Sequence, residues 1–327
     1  MRTKTCVLAL AASLALAACG GGGEEPGGDE NANGGANAGG GEELAPITVG
    51  TLPVTAAVGL EIGIREGIFE EHGLDVSIEM GQGGAALLPA VVSGEMQFAT
   101  SNPLSLMQAE SQGLDIHVVS GYSHSFPEGE DINGTYAGAQ TDIEEPTDLE
   151  GATVAVNTLN GLGDLTIREL VRQAGGDPDS LQFVELPFPE MPSALANGDV
   201  DAAWLPEPFI SIAGDDVRLV EYQNQVVAPG LSTMLLFTSG AYAEQNPEIV
   251  EAFTTASAEA LNFANENQDL QREVLPELLE MDPALADTVR LEGLSPEIDR
   301  DALQAVNEMA VDDGIYDEPL DLEEFLP

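Results

Sequence analysis

Positive charge is scarce in this sequence: nine basic residues, of which Lys4 is the only lysine, stand against 58 acidic ones, for a formal net charge of −49. The acids run along the whole body of the chain and are not gathered in one tail, which argues against a nucleic acid or an anionic membrane surface as a partner. Cysteine is as scarce, with only Cys6 and Cys19, so beyond residue 19 neither a disulfide nor thiol chemistry is available. The three histidines, His72, His117 and His124, share no metal-ligand spacing, and the chain has neither a G-x-S-x-G elbow nor a phosphate-loop motif. Among 58 acids carboxylate pairs arise by chance, so they carry no information about acid–base work. Catalysis is poorly supported, and neither a cofactor nor a metal is expected. An acid excess with lysine removed has the look of a surface adapted to high salt, where screening relieves self-repulsion.

What is present begins with an address. Arg2 and Lys4 precede an apolar run from Cys6 to Ala18, too short for a permanent bilayer span and typical of a secretory h-region. The run closes in Leu16-Ala-Ala-Cys19, which resembles the bacterial lipobox, whose cysteine becomes the lipidated first residue of the mature protein. Residues 1–18 are therefore expected as a lipoprotein signal peptide. Residues 19–45 offer glycine, asparagine, alanine and acid with nothing to bury, and are expected as a flexible tether behind a lipidated Cys19. With 43% hydrophobic residues the chain can supply one large domain or two lobes with real cores.

The body is organised around residues 152–174. Ala152-Thr-Val-Ala-Val156 reads as a buried strand and Asn157-Thr-Leu-Asn-Gly-Leu-Gly163 as a tight turn; Ile167, Leu170, Val171 and Ala174 then recur at helical spacing until Gly175-Gly176 stops them. In an open α/β sheet such a unit aims the free N–H groups of its helix start into the crevice beyond the strand ends, a place that suits a ligand oxygen. One such turn alone is more often a plain connection. The theme recurs, however. Ile47-Thr-Val-Gly-Thr51 and Asp75-Val-Ser-Ile-Glu79 read as strands, each leading through a turn into an apolar helix, the second by way of Met80-Gly-Gln-Gly-Gly-Ala85. Ala196-Asn-Gly-Asp-Val-Asp-Ala-Ala-Trp204 echoes Val92-Ser-Gly-Glu-Met-Gln-Phe-Ala99, as two lobes of one α/β design would. Thr135-Tyr-Ala-Gly-Ala139 is expected to lead the chain out of the first lobe and Leu231 to Ser239 to bring it back. The body then divides into 46–137 with 235–327, and 138–234. After Pro247 the pattern is helical, with Ile249, Phe253, Ala256, Ala260 and Phe263 along one face.

Trp204-Leu-Pro-Glu-Pro-Phe209 stands apart because it holds the single tryptophan of the chain. Two prolines that fix φ would keep an aromatic face and a carboxylate at a cleft edge; a core tryptophan beside a structural turn is the plainer alternative.

An apolar first strand, Gly67-Ile-Phe-Glu-Glu-His-Gly-Leu-Asp-Val76, the glycine turn Gly81-Gln-Gly-Gly84, Asn197-Gly-Asp-Val-Asp-Ala202 and Trp204 to Phe209 together resemble the solute-binding proteins of bacterial ABC importers for nitrate, sulfonates, taurine and thiamine-pyrimidine precursors. The resemblance runs from Ile47 to about Pro327. It implies an α/β, two-lobed periplasmic-binding-protein fold of type II, with two inter-lobe crossings and C-terminal helices, that closes on a small molecule by hinge motion. By position it implies ligand contacts from Thr55 and Ala56, Gly83 and Gly84, Ser101 and Asn102, Thr158, Asn160 and Gly161, and Trp204 with Glu207. Backbone N–H groups of Gly84 and Gly161 would hold oxygens, Trp204 would stack a flat portion, and Glu207 would accept from an N–H donor. The partners implied are a small organic solute, an ABC permease with its ATPase, and the membrane through lipidated Cys19, for an extracytoplasmic monomer.

Asp164, placed like an N-cap, and the lack of Lys or Arg in these loops argue against a bare anion such as nitrate. They favour a neutral or amine-bearing heterocycle, with a sulfonate held by N–H groups still open. Two rivals remain. One is an enzyme on the same fold, of the pyrimidine-precursor-synthase or sulfinate-hydrolase type, whose histidine or cysteine clusters are absent here. The other is a tethered sensor subunit that presents its ligand to a receptor.

Overall fold

The computed structural model describes residues 44–81 and 83–327. The expected signal peptide, Cys19 and all of the expected tether but its last two residues lie outside the described residues, and Ala45 already opens the first strand.

In chain order the strands are β1 (Ala45–Thr51), β2 (Leu74–Met80), β3 (Phe98–Ser101), β4 (Ile116–His124), β5 (Asn133–Gly138), β6 (Thr153–Val156), β7 (Gln182–Glu185), β8 (Ala202–Pro206), β9 (Val217–Glu221), β10 (Ser232–Ser239) and β11 (Gly293–Leu294). They form two sheets, one ordered β11-β4-β10-β3-β1-β2 and the other β7-β6-β8-β5-β9. Each sheet has a parallel half built from strand-helix-strand units. β1 pairs in parallel with β2 and β3, and β6 with β7 and β8. The connecting helices include Val58–Arg65, Gly84–Val92, Leu162–Gln173 and Met191–Asn197. A parallel connection needs such a crossover, and the helices it brings bury a sheet face. In each sheet the strand that arrives from the other lobe runs antiparallel: β5 lies between β8 and β9, and β10 between β3 and β4.

The expected two-lobed α/β architecture with two crossings and helices toward the C-terminus is present, but the crossings lie earlier than the sequence pattern placed them. They occupy residues 125–132 and 222–231, so β5 belongs to the second sheet and β10 already lies in the first. The small residues of β5 read as a connection. All six are buried, and Thr135, Tyr136 and Ala137 are laddered on both sides, a setting that the local pattern does not announce.

The helix Pro247–Glu266 packs its expected face on the first sheet. Phe253 is fully buried and stacks on Phe98, with ring centroids 3.9 Å apart, and on Phe69 at 5.7 Å. The close approach of this helix to Val58–Arg65 depends on Gly63, where a Cβ would come within 2.6 Å of the Ala260 Cβ. Three side chains that share one stacked column leave a large hole when the middle one goes. Phe253→Ala should therefore cost about 3–5 kcal/mol in urea unfolding, and a cost below about 1 kcal/mol would contradict this packing.

Candidate ligand-binding site

The loops after β1, β3 and β6 and the last residue of β8 meet at a cavity between the lobes, through Leu52, Val54, Asn102, Asn157 and Pro206. Both crossing regions reach it as well, with Ile132 and Asn133 on one side and Thr233 and Met234 on the other. Crevices beyond the carboxyl ends of strands are where open α/β sheets place ligands. Across this crevice the glycine turn of the first lobe faces the β6 turn of the second: a Cβ built on Gly83 would lie 3.5 Å from Thr158 Oγ1 and 3.8 Å from Asn157 Nδ2.

Trp204, on β8, is 7% exposed and lines the cavity. Its indole N–H donates to Asn133 Oδ1 at 3.2 Å, and its ring meets Phe188 edge-on, with centroids 5.7 Å apart at 71°. The start of the helix Leu162–Gln173 lies directly on the indole, because a Cβ on Gly163 would fall 2.2 Å from Trp204 Cε3. Glycine is required there by close approach, and the aromatic platform is held from three sides.

Of the expected contact residues, Asn102 and Trp204 line the cavity, and Gly83 and Thr158 flank it. Asn102 also caps its helix, accepting from Ser105 N–H at 2.9 Å. Gly84 opens the helix Gly84–Val92, as Gly161 stands at the N-cap of Leu162–Gln173. Ser101 is fully buried, and its hydroxyl has no partner among the described residues.

Three expectations need correction. Glu207 does not line the cavity; its carboxylate accepts from Ser211 N–H at 3.2 Å, Ser211 Oγ at 3.1 Å and the Arg290 guanidinium at 3.2 Å. The chain's own donors therefore occupy the place expected for a ligand N–H. Thr55 and Ala56 stand one layer back, since the Thr55 hydroxyl donates to Glu292 at 2.8 Å and Ala56 O accepts from the Tyr122 hydroxyl at 2.6 Å. Asp164 is the third helical residue and not the N-cap. It accepts from Asn160 N–H at 3.1 Å and Arg168 Nε at 2.6 Å, which holds Asn160 in the left-handed region at φ 54° and turns it toward an outer depression shared with Arg168 and Arg172.

Sequence reasoning missed Glu292. It lies just before β11, is 6% exposed, and lines the cavity. One oxygen takes the Thr55 hydroxyl; the other, Oε2, has no partner among the described residues. Burial pushes its pKa up to about 8, and the nearby Asp131 and Glu207 carboxylates push the same way, against the Thr55 hydroxyl and the nearby Ala56 N–H. Asp131 is also raised by burial, against bonds from Ser125 Oγ and from the N–H groups of Phe126 and Ile132. No pattern in the sequence marks Glu292, because one acid among 58 is anonymous until the fold buries it. Asn133, Asn157 and Phe188 also line the cavity and were not among the expected contacts. Among the described residues no group of three or more His, Cys, Asp and Glu side chains is placed to hold a metal ion.

A family model described as NMT1/THI5 like matches residues 55–270, about two thirds of the chain. The chain belongs to the NMT1/THI5-like family. Among curated proteins it is 26% identical to the formylaminopyrimidine-binding protein of Halalkalibacterium halodurans over 66% of this chain, and 23% identical to the taurine-binding periplasmic protein of Escherichia coli over 58%. The matches span 64% and 58% of those relatives' own lengths. Among solved structures, the alkanesulfonate-binding protein of Xanthomonas axonopodis pv. citri bound to MOPS superposes with a TM-score of 0.72 at 15% identity, over 87% of this chain and 99% of that one. The likeness gives this member of the NMT1/THI5-like family the type II periplasmic-binding-protein fold. Glu292 lies beyond the part that the family model matches.

Two measurements check this geometry. Gly163→Ala, which would gain about 1 kcal/mol in an exposed helix, should instead lose about 1–3 kcal/mol by displacing the indole, as read by chemical denaturation. The raised pKa of Glu292 means that the folded chain keeps a proton that the unfolded chain has lost, so this group's contribution to stability falls as pH rises from about 4.5 to about 8. Replacing it by Gln should remove that part of the slope, so that the melting temperatures of wild type and Glu292→Gln change differently between pH 5 and 8.5.

Proposed function

We propose that the chain is the solute-binding protein of an ABC importer. It captures a small organic solute, taurine- or sulfonate-like or aminopyrimidine-like, in the cleft between its lobes and delivers it to a permease and ATPase. The observation that carries this reading is the inter-lobe cavity itself, where a held aromatic platform, Trp204 with Phe188, faces amide side chains from both lobes. An aromatic face with a few fixed polar groups is the make-up of a small-molecule site. The relatives support it, since the curated ones quoted above bind a formylaminopyrimidine and taurine. The reading assigns the chain no reaction, and lipidation at Cys19 would keep it at the outer face of the cell membrane.

The cavity holds about 50 Å³, well below the roughly 150 Å³ in which a benzene ring fits. A solute of the proposed size enters only when the lobes move apart, and the two crossings are the segments about which they would turn.

Thermal unfolding in the presence of taurine, alkanesulfonates, aminopyrimidines and nitrate tests the proposal. A solute present at about 100 times its dissociation constant should add about 2.7 kcal/mol to stability, and an organic member of the panel is expected to do so. A folded protein that responds to none of them, or to nitrate alone, would overturn this reading.

A further inference from the structure

The polar groups that line the cavity are amides and hydroxyls with one exception. Among the described residues Glu292 is the one ionisable group in the lining, with no Lys or Arg beside it. Most of the others are already engaged. Asn133 Oδ1 accepts from both Trp204 Nε1 and Asn224 Nδ2, Asn102 bonds Ser105 through both ends of its amide, and Ser123 Oγ and Thr233 Oγ1 pair at 2.9 Å. Glu292 is fixed through one oxygen by Thr55, while Oε2 lacks a partner. A buried carboxyl oxygen left in that state is costly, and native proteins rarely keep one without a use.

We infer that Glu292 is the specificity-determining residue of the cleft: its free oxygen receives an N–H group of the solute, so that the protein selects solutes carrying an amine or ring-amino nitrogen over isosteres that lack one. The inference rests on the cleft being the solute site. Its sign follows from the surroundings. The ionisable groups facing Glu292 are Tyr122 on β4, Asp131 in the first crossing, and Glu207 after β8, itself bonded to Arg290; His124 lies beyond, facing Asp131. Burial keeps Tyr122 and His124 uncharged, the first by raising its pKa and the second by lowering it. What remains is acidic, apart from the one guanidinium already bonded to Glu207. Once ionised, this carboxylate repels an anion, whereas a cation or a polarised N–H gains a charge-assisted hydrogen bond with it.

Proton balance adds a second signature. Below about pH 8 the carboxyl of the free protein holds its proton. A protonated amine that docks on it keeps its own proton and drives the carboxyl proton into solvent. Binding at pH 6.5 should then release close to one proton, and affinity should rise by up to about tenfold per pH unit toward pH 8.

Matched pairs give the test: taurine against ethanesulfonate, and 4-amino-2-methylpyrimidine against 2-methylpyrimidine. They are titrated calorimetrically into the full chain and its Glu292→Gln variant, in two buffers of different ionisation enthalpy. Gln keeps the shape and an acceptor for Thr55. In whichever pair binds, the amino member should bind about tenfold or more tighter than its partner, lose that advantage in Glu292→Gln, and release a proton, in taurine's case, at pH 6.5. If the amino-free member binds wild type within about threefold of the amino one, the role given to Glu292 is wrong while the cleft remains a solute site. This comparison needs only wild type, so it decides even where the variant does not fold. If neither pair binds a folded wild type, the solute reading itself falls.

Discussion

Three buried carboxyl groups, Asp131, Glu207 and Glu292, gather where the two lobes join, and only one of them is bonded to a guanidinium. Taking a charge out of water is expensive, and the expense is met only where the fold supplies donors from nearby. Asp131 draws its donors from its own crossing segment. Glu207, at the end of β8, takes Ser211 from the next helix and Arg290 from the other lobe, while its carbonyl accepts Thr55 N–H at 3.3 Å. Thr55 in turn reaches Glu292. Glu207 and Glu292 thus tie segments far apart in the chain, and Glu292, the one of the three that lines the cavity, forms part of the floor of the cleft. The aromatic wall rises from that floor, because Trp204 lies three residues before Glu207.

Away from that floor the lobes touch lightly. Arg172, on the helix Leu162–Gln173, forms an ion pair with Asp313 after the helix Arg300–Asp312, and its side chain is 40% exposed. With Asp313 13% exposed, the pair is open to water on the arginine side, where salt screens it. The contrast suits the proposed capture and release of a solute: tighter where the lobes are hinged than where they meet.

The strand-helix alternation was legible because its signals are local. β-branched runs and glycine turns placed β1 and β2 within a residue or two, apolar runs marked the helices that follow, and Trp204 was legible by being unique. β5 was not, since Asn133–Gly138 mixes two glycines with polar and aromatic residues, and its role appears only when β8 and β9 pair with it. Asp164 was read from position alone as a cap, but Arg168, one turn further along the same helix, and a left-handed Asn160 claimed it. Glu207 looked like a binding group because its neighbours are rigid; that rigidity serves the junction. Glu292 could not be distinguished in advance, because what sets it apart is burial, and burial belongs to the whole fold and not to any stretch of it.

The placement of the lone tryptophan has a consequence of a different kind. All indole emission of this chain arises from one ring, set between a phenylalanine, a glycine and the space between the lobes. Whatever alters the polarity or wetness of that space alters the wavelength and intensity of the light the protein gives back, with no background from elsewhere. The chain carries its own label, and opening and filling of the cleft can be timed optically in the unmodified molecule.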